Sequence, residues 1–136
     1  MILVFDFDGT IHKTEIAYKK AIIESLSDLK LSIDDFDFKS FIGMGPKEVW
    51  DIILKDDSDK TPYIRKNGDR IIKYMTEVGE LYDGAIETLS YLKEKYELYI
   101  LSKCRRVYMD AAREKFGLDR YFSKYFSLIS TNSGKD

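Results

Sequence analysis

The chain alternates between short apolar runs and longer segments in which apolar residues recur every three or four positions. Residues 2–7 form a nearly unbroken apolar run that ends in Asp-Phe-Asp-Gly. A run of this length bounded by a turn predicts a buried strand of a parallel sheet. From Thr14 the period becomes helical, and one face of the predicted helix carries Tyr18, Ile22, Leu26 and Leu29.

The helical texture continues to about residue 80. We predict a short helix over residues 34–42, a loop, and a helix opened by Pro46, because proline is favoured in the first turn of a helix. Thr61 and Pro62 predict the cap and first turn of another helix. We expect that helix to bend or break near Asn67 and Gly68.

The last third of the chain alternates between helix and strand. A helix from Ala85 is followed by a strand over residues 97–101, a helix over residues 105–116 and a strand over residues 125–130. Strand, helix and strand at this spacing form the βαβ unit of an open α/β sheet. The pattern therefore predicts one strand, a helical insertion of nearly seventy residues and a return to the same sheet.

Composition narrows the class of protein. The 136 residues are 44% hydrophobic and carry a formal net charge of −2, which suits a folded domain and provides no basic field for nucleic acid. No apolar run is long enough to span a bilayer or to serve as a signal peptide. The one cysteine, Cys104, cannot form an internal disulfide, so we expect a cytoplasmic protein. From the charge and the short apolar runs we expect no nucleic-acid and no membrane partner.

The candidate chemistry lies where the predicted strands end. In open α/β sheets ligands bind beyond the carboxyl ends of the strands, here at Asp6 to Asp8, at Ser102 and in the tail over residues 131–136. Two carboxylates beside an apolar run need an offsetting charge, which Mg²⁺ with its oxygen ligands would supply. Gly9 would bring backbone N–H groups close to an anion.

The stretch Asp6-Phe7-Asp8-Gly9-Thr10 resembles the first motif of the haloacid dehalogenase superfamily, whose members are mostly phosphoryl-transfer enzymes. The resemblance implies that Asp6 is the nucleophile, that Asp8 is the general acid and base, and that both hold Mg²⁺. It also implies that the phosphoryl group is bound by Phe7, Gly9, Thr10, Ser102, Lys103 and Lys135.

Several residues near these motifs have simpler explanations. Ser102 could also cap the helix that follows it, although its position after the second strand favours phosphate binding. Lys135 could equally be a solvated side chain near the end of the chain. We interpret His12, the only histidine, as a partly buried surface imidazole rather than a catalytic base. Cys104 has no histidine beside it in sequence and is interpreted as a bystander.

The helical insertion resembles the cap lobe of phosphoglycolate-phosphatase-like members of this superfamily, with Gly43 and Lys47 as candidates for substrate selection. The predicted class is therefore α/β: an open Rossmann-like parallel sheet with helices on both faces and an α-helical cap lobe after the first strand. We place the core at residues 1–13 and 81–136 and the cap at residues 14–80.

The expected function is a Mg²⁺-dependent phosphatase that hydrolyses a small phosphorylated metabolite through an aspartyl-phosphate. Two alternatives remain: a phosphomutase of the β-phosphoglucomutase type, and a truncated, inactive phosphate-binding or interaction fragment. The second arises because the chain ends at Asp136, before the family's fourth, acidic motif. In the family that motif's strand lies beside the first strand, so we expect a homodimer or a complementing chain at that sheet edge.

Overall fold

A computed structural model describes residues 1–127, which divide into two compact units. One unit contains Met1–Thr14 and the chain from Val78 onward, and the other contains Glu15–Glu77. Six α-helices occur in the described chain: α1 Thr14–Asp28, α2 Phe38–Phe41, α3 Pro46–Leu54, α4 Thr61–Val78, α5 Ala85–Lys93 and α6 Arg106–Phe116. Within residues 1–127 no helix has the length and apolar character needed to cross a membrane.

The first unit is built on a parallel sheet with the strand order β1 (Ile2–Phe5), β2 (Glu97–Ser102) and β3 (Phe122–Ser127). Leu3 pairs with Leu98 and Phe5 with Ile100, so the carboxyl ends of β1 and β2 lie side by side. This sheet and its helices confirm the predicted α/β class. In the described part of the chain β1 lies at a sheet edge, and association through that edge stays a prediction.

The two faces of this sheet differ in exposure. Leu98, Ile100 and Phe122 lie on one face and are almost completely buried. The side chains of the other face remain partly exposed, with 48% of Ile2, 57% of Val4, 38% of Leu101 and 46% of Phe126 accessible. Residues 1–127 therefore bury only one of the two faces, although both consist largely of apolar side chains.

The second unit is a helical lobe with its own apolar core. Seven buried side chains form that core: Ile22, Leu26, Phe38, Phe41, Val49, Trp50 and Ile53. A polar cluster joins α1 to α4, where the Arg70 guanidinium contacts Glu24, Asp28 and the hydroxyl of Ser25. Ser25 in turn donates a 2.8 Å hydrogen bond to the side-chain oxygen of buried Asn67.

Three local predictions were wrong. Residues 34–42 do not form one helix, because Phe36 has an extended backbone that separates the 3-10 turn Ile33–Asp35 from α2. The α4 helix continues through Asn67 and Gly68 without the predicted break. The Asn67 side chain accepts a hydrogen bond from Ser25 of α1 and does not form a local turn with its own backbone. The third strand begins at Phe122, three residues before the predicted start, because buried Phe122 already pairs with Leu98.

Candidate active site

The site begins with Asp6, the residue after β1. Asp6 is exposed, and one of its carboxylate oxygens accepts a 2.9 Å hydrogen bond from the N–H of Phe7. The Phe7 ring is fully buried and stacks on the His12 imidazole with ring centroids 5.2 Å apart. Phe7 therefore anchors the loop in the core and leaves the Asp6 carboxylate facing solvent.

The loop after Asp6 is closed by its own backbone. The Phe7 carbonyl accepts hydrogen bonds from the N–H groups of Thr10, Ile11 and His12, and the Gly9 N–H donates to the His12 carbonyl. Gly9 has a φ of +75°, a conformation that side chains disfavour. The N–H groups of Gly9 and Thr10 are thus already hydrogen-bonded within the loop and are not available to an anion in this conformation. Phosphate binding by these two residues stays a prediction.

Three side chains converge on one oxygen of Asp8. Its Oδ1 accepts hydrogen bonds of 2.7 Å from both the Thr14 hydroxyl and the Tyr108 hydroxyl, and the His12 Nδ1 lies 3.4 Å away. Burial alone would raise the pKa of the Asp8 carboxyl, but the hydrogen bonds from His12, Tyr108 and Thr14 outweigh it and lower that pKa below its usual value. The resting site therefore favours an ionised Asp8.

His12 corrects the sequence interpretation, because its side chain is fully buried rather than partly exposed at the surface. It packs between Phe7 and Phe116, and its Nδ1 lies 3.0 Å from the Thr14 hydroxyl. Its Nε2 is buried and has no hydrogen-bond partner in residues 1–127. Two buried apolar residues precede His12, namely Phe7 five positions earlier and Ile11 directly before it, and they were the sequence signal for an inward-facing ring.

Tyr108 and Thr14 were not predicted to belong to the site. Tyr108 lies on α6, is 7% exposed and reaches Asp8 across 100 positions of sequence. Burial, followed by the charge of Asp8 and the hydrogen bond to it, raises the pKa of the Tyr108 phenol, which keeps the hydroxyl protonated as a donor. No local pattern in the sequence identifies so distant a partner.

The end of β2 supplies the next predicted residues. Ser102 is buried, and its Oγ accepts a 3.2 Å hydrogen bond from the Cys104 N–H, so it closes a turn before α6 rather than capping that helix. Lys103 is exposed. Burial raises the pKa of the Cys104 thiol to about 11, which agrees with its interpretation as a bystander. Binding of phosphate by Ser102 and Lys103 stays a prediction.

The remaining predicted residues belong to the helical unit or lie outside the described chain. Gly43 is an exposed loop residue with a φ of +89°. Lys47 is 80% exposed, and its ammonium forms a 2.6 Å ion pair with Asp51 of the same helix. Lys135 and the tail over residues 131–136 lie outside the described residues. Substrate selection by Gly43 and Lys47 stays a prediction.

The donor chemistry of the first loop fits Mg²⁺. Asp6 and Asp8 offer carboxylate oxygens, and Mg²⁺ is commonly held by one or two carboxylates together with water and substrate phosphate. Residues 1–127 contain no group of three or more His, Cys, Asp and Glu side chains placed to hold a metal ion. Any Mg²⁺ at this loop would therefore have at most two carboxylate ligands from the described chain.

A parallel sheet with paired carboxylates beyond its first strand places this protein among the Rossmann-like α/β proteins. Residues 3–135 match the family described as haloacid dehalogenase-like hydrolase, and the chain belongs to that family. This match confirms the family that the resemblance of residues 6–10 to its first motif had indicated.

Comparison with solved structures supports the α/β fold. The chain is similar to the haloacid dehalogenase-like family protein SP0104 from Streptococcus pneumoniae, with a TM-score of 0.81 and 16% identity over 93% of this chain and 60% of that one. A HAD hydrolase of family IA, variant 3, from Entamoeba histolytica gives a TM-score of 0.78 and 20% identity over 95% and 62% of the two chains. At identities this low, the structural similarity supports the fold alone.

Two further relatives bear on ligands. The HAD-hydrolase YfnB from Bacillus subtilis, described as bound to magnesium, matches with a TM-score of 0.71 and 21% identity over 93% of this chain and 64% of that one. The uncharacterized ATP-binding protein MJ0075 from Methanocaldococcus jannaschii is 31% identical over 108 residues, which are 71% of this chain and 29% of that protein. This chain therefore spans under two thirds of each of these relatives.

Proposed function

We propose that this chain carries the nucleophile and the proton-transfer carboxylate of a phosphatase that acts on a small phosphorylated metabolite. The observation that supports this most strongly is the pair formed by Asp6 and Asp8, one carboxylate exposed and the other fixed by three side chains. A free carboxylate can attack phosphorus, whereas a fixed one can exchange a proton with an oxygen held nearby.

The reaction has two displacement steps. In the first, a carboxylate oxygen of Asp6 attacks phosphorus, the bond between phosphorus and the ester oxygen breaks, and Asp8 gives its proton to that leaving oxygen. In the second, Asp8 takes a proton from water while the water oxygen attacks phosphorus. The bond from phosphorus to Asp6 then breaks, which releases inorganic phosphate and restores the Asp6 carboxylate.

The ionised resting state of Asp8 adds a condition to the first step. Asp8 must be protonated before it can act as an acid, yet the hydrogen bonds from His12, Tyr108 and Thr14 lower its pKa. The negative charge of a bound phosphate ester raises the pKa of a nearby carboxyl. We therefore expect Asp8 to gain its proton only when substrate is bound, which limits proton donation to the occupied site.

Magnesium is part of the proposal. The Asp6 carboxylate would be its protein ligand in the first step, because Asp8 must then carry the transferred proton, and the cation would supply positive charge against the phosphoryl oxygens. Ser102 and Lys103, at the neighbouring strand end, would contribute a hydroxyl and an ammonium to the same phosphoryl group.

The location of the protein in the cytoplasm remains the expectation drawn from its composition.

Hydrolysis of p-nitrophenyl phosphate, with and without Mg²⁺, tests this function in the wild-type chain and in Asp6→Asn. We expect metal-dependent release of phosphate that the substitution abolishes, since an amide cannot act as the nucleophile. Asp83→Asn is a matched control, because Asp83 belongs to the same unit and follows no strand. Turnover that survives in Asp6→Asn would rule out Asp6 as the nucleophile. Transfer of phosphate to an added sugar, rather than to water, would favour a phosphomutase.

A further inference from the structure

The hydrogen atoms around Asp8 can be assigned from the contacts. The hydroxyls of Thr14 and Tyr108 each have one hydrogen, and each lies 2.7 Å from the same carboxylate oxygen, Oδ1. A carboxylate oxygen only accepts, so both hydroxyls donate to it. The His12 Nδ1, which lies 3.0 Å from the Thr14 oxygen and 3.2 Å from the Tyr108 oxygen, must then carry a hydrogen of its own.

This assignment makes the two oxygens of Asp8 inequivalent. Oδ1 accepts from two short hydroxyl donors and lies 3.4 Å from a third donor, whereas Oδ2 has no hydrogen-bond donor within residues 1–127. Hydrogen bonds to an ionised acceptor are about twice as strong as those between neutral groups. The carboxylate is therefore held through one oxygen, and the other is left to exchange a proton.

Tyr108 is the one donor of the three that comes from a distant segment of the chain. Its ring is buried against Phe7, with centroids 6.4 Å apart and an interplanar angle of 70°, and lies on α6 rather than on the loop itself. His12 belongs to the same loop as Asp8, and Thr14 is the first residue of α1, which follows that loop. Tyr108 is thus the contact that links the Asp8 carboxylate to α6, a helix distant in sequence from the segment that contains Asp8.

We propose that Tyr108 is a positioning residue that fixes the rotation of the Asp8 carboxylate, so that Oδ2 is the oxygen that exchanges the proton. The proposal rests on the phosphatase function proposed above. A buried tyrosine that merely satisfies its own hydroxyl would affect stability alone. A positioning residue affects the proton transfer and matters most when the leaving oxygen is strongly basic.

The test compares Tyr108→Phe with wild type on phenyl phosphate and on p-nitrophenyl phosphate, whose leaving groups differ in their need for a proton. We expect kcat to fall about 10- to 100-fold on phenyl phosphate and by no more than about 3-fold on p-nitrophenyl phosphate, with KM nearly unchanged. The matched control is Tyr125→Phe, which removes a 2.6 Å hydrogen bond to the Asp119 carboxylate in the same unit. An equal loss on both substrates, or the same pattern in the control, would overturn the proposal.

A crystal structure of Tyr108→Phe gives a second result that does not depend on activity. Positioning by Tyr108 predicts that the Asp8 carboxylate rotates or occupies two orientations once the phenol oxygen is removed. A carboxylate that keeps its wild-type orientation would overturn the proposal even if the enzyme is active. An inactive wild-type chain together with a rotated Asp8 would instead count against the phosphatase function and leave the positioning role supported.

Discussion

The Tyr108 hydroxyl donates a 2.7 Å hydrogen bond to Oδ1 of Asp8, although the two residues are 100 positions apart in the chain. This bond joins the loop after β1 to the helix after β2, the two segments that follow neighbouring parallel strands. The end of a strand pair is where α/β proteins hold their ligands. One hydrogen bond therefore links the candidate proton-transfer residue to the part of the fold that positions it.

The depressed pKa of Asp8 predicts a dependence of stability on pH. A carboxyl whose folded-state pKa lies below its unfolded value of 3.8 stabilises the fold above that pH, and the contribution is lost as the pH falls through the folded-state pKa. We expect Asp8→Asn to lower the free energy of unfolding by about 1 kcal/mol near neutral pH and by much less in strong acid.

Urea unfolding without divalent metal, followed by circular dichroism at several pH values, measures this difference. Asp110→Asn serves as the control, because Asp110 is exposed on α6 and lies 3.5 Å from its cationic partner Arg113. If the loss in Asp8→Asn were the same at neutral and at acidic pH, ionisation of Asp8 would not be its cause.

The two cations that contact Glu24 should contribute very differently to the helical unit. The Arg70 side chain is 14% exposed and contacts Glu24 and Asp28 at 2.5 Å, whereas Lys73 is 50% exposed and lies 3.5 Å from Glu24. We expect Arg70→Ala to cost about 1–3 kcal/mol, since it removes the largely buried cation that contacts Glu24, Asp28 and the Ser25 hydroxyl together. Lys73→Ala should lower the stability much less, because solvent screens this exposed ion pair.

Fluorescence of Trp50 reports this unfolding directly, because it is the only tryptophan and lies in the core of the same unit. Equal midpoints for the two variants in urea would contradict the ranking. Both substitutions remove one cation from Glu24, but only Arg70 is largely buried and also contacts Asp28 and Ser25.

The thiol of Cys104 should react slowly with alkylating reagents. Burial, only partly offset by the hydrogen bond with Ser102, raises the pKa of this thiol to about 11, so the nucleophilic thiolate is scarce at neutral pH. Near pH 8 we expect iodoacetamide to modify the folded chain roughly 100-fold more slowly than the urea-unfolded chain. Equal rates in the two states, measured by mass spectrometry, would show that the thiol is neither buried nor perturbed.

Much of this fold follows from local sequence patterns. The apolar run before Asp6 predicts β1, Pro46 predicts the start of α3, and the spacing of Ile22 and Leu26 predicts the buried face of α1. Each signal depends on residues within one or two turns of helix or one strand. The order of these elements then leads to a parallel sheet and places Asp6 at a strand end.

The errors of prediction have a different physical origin. Asn67 beside Gly68 suggests a helix break when read locally, yet Asn67 is held inside α4 by a hydrogen bond from Ser25, 42 positions away. Likewise the roles of His12 and Tyr108 depend on contacts between α6 and the loop that no periodicity encodes. Sequence patterns predict the pair of carboxylates, whereas the donors that lower the pKa of Asp8 are identified only from the folded structure.

The central claim is that Asp6 is the nucleophile, and trapping its phosphorylated form tests it most directly. The full chain, incubated with Mg²⁺ and a phosphate ester, is quenched in acid, reduced with borohydride and digested for mass spectrometry. Reduction converts a phosphorylated aspartate into homoserine, and we predict this change at Asp6 alone, dependent on substrate and absent in Asp6→Asn. Substrate turnover with no such product at Asp6, or with the product at Asp8 instead, would contradict the claim.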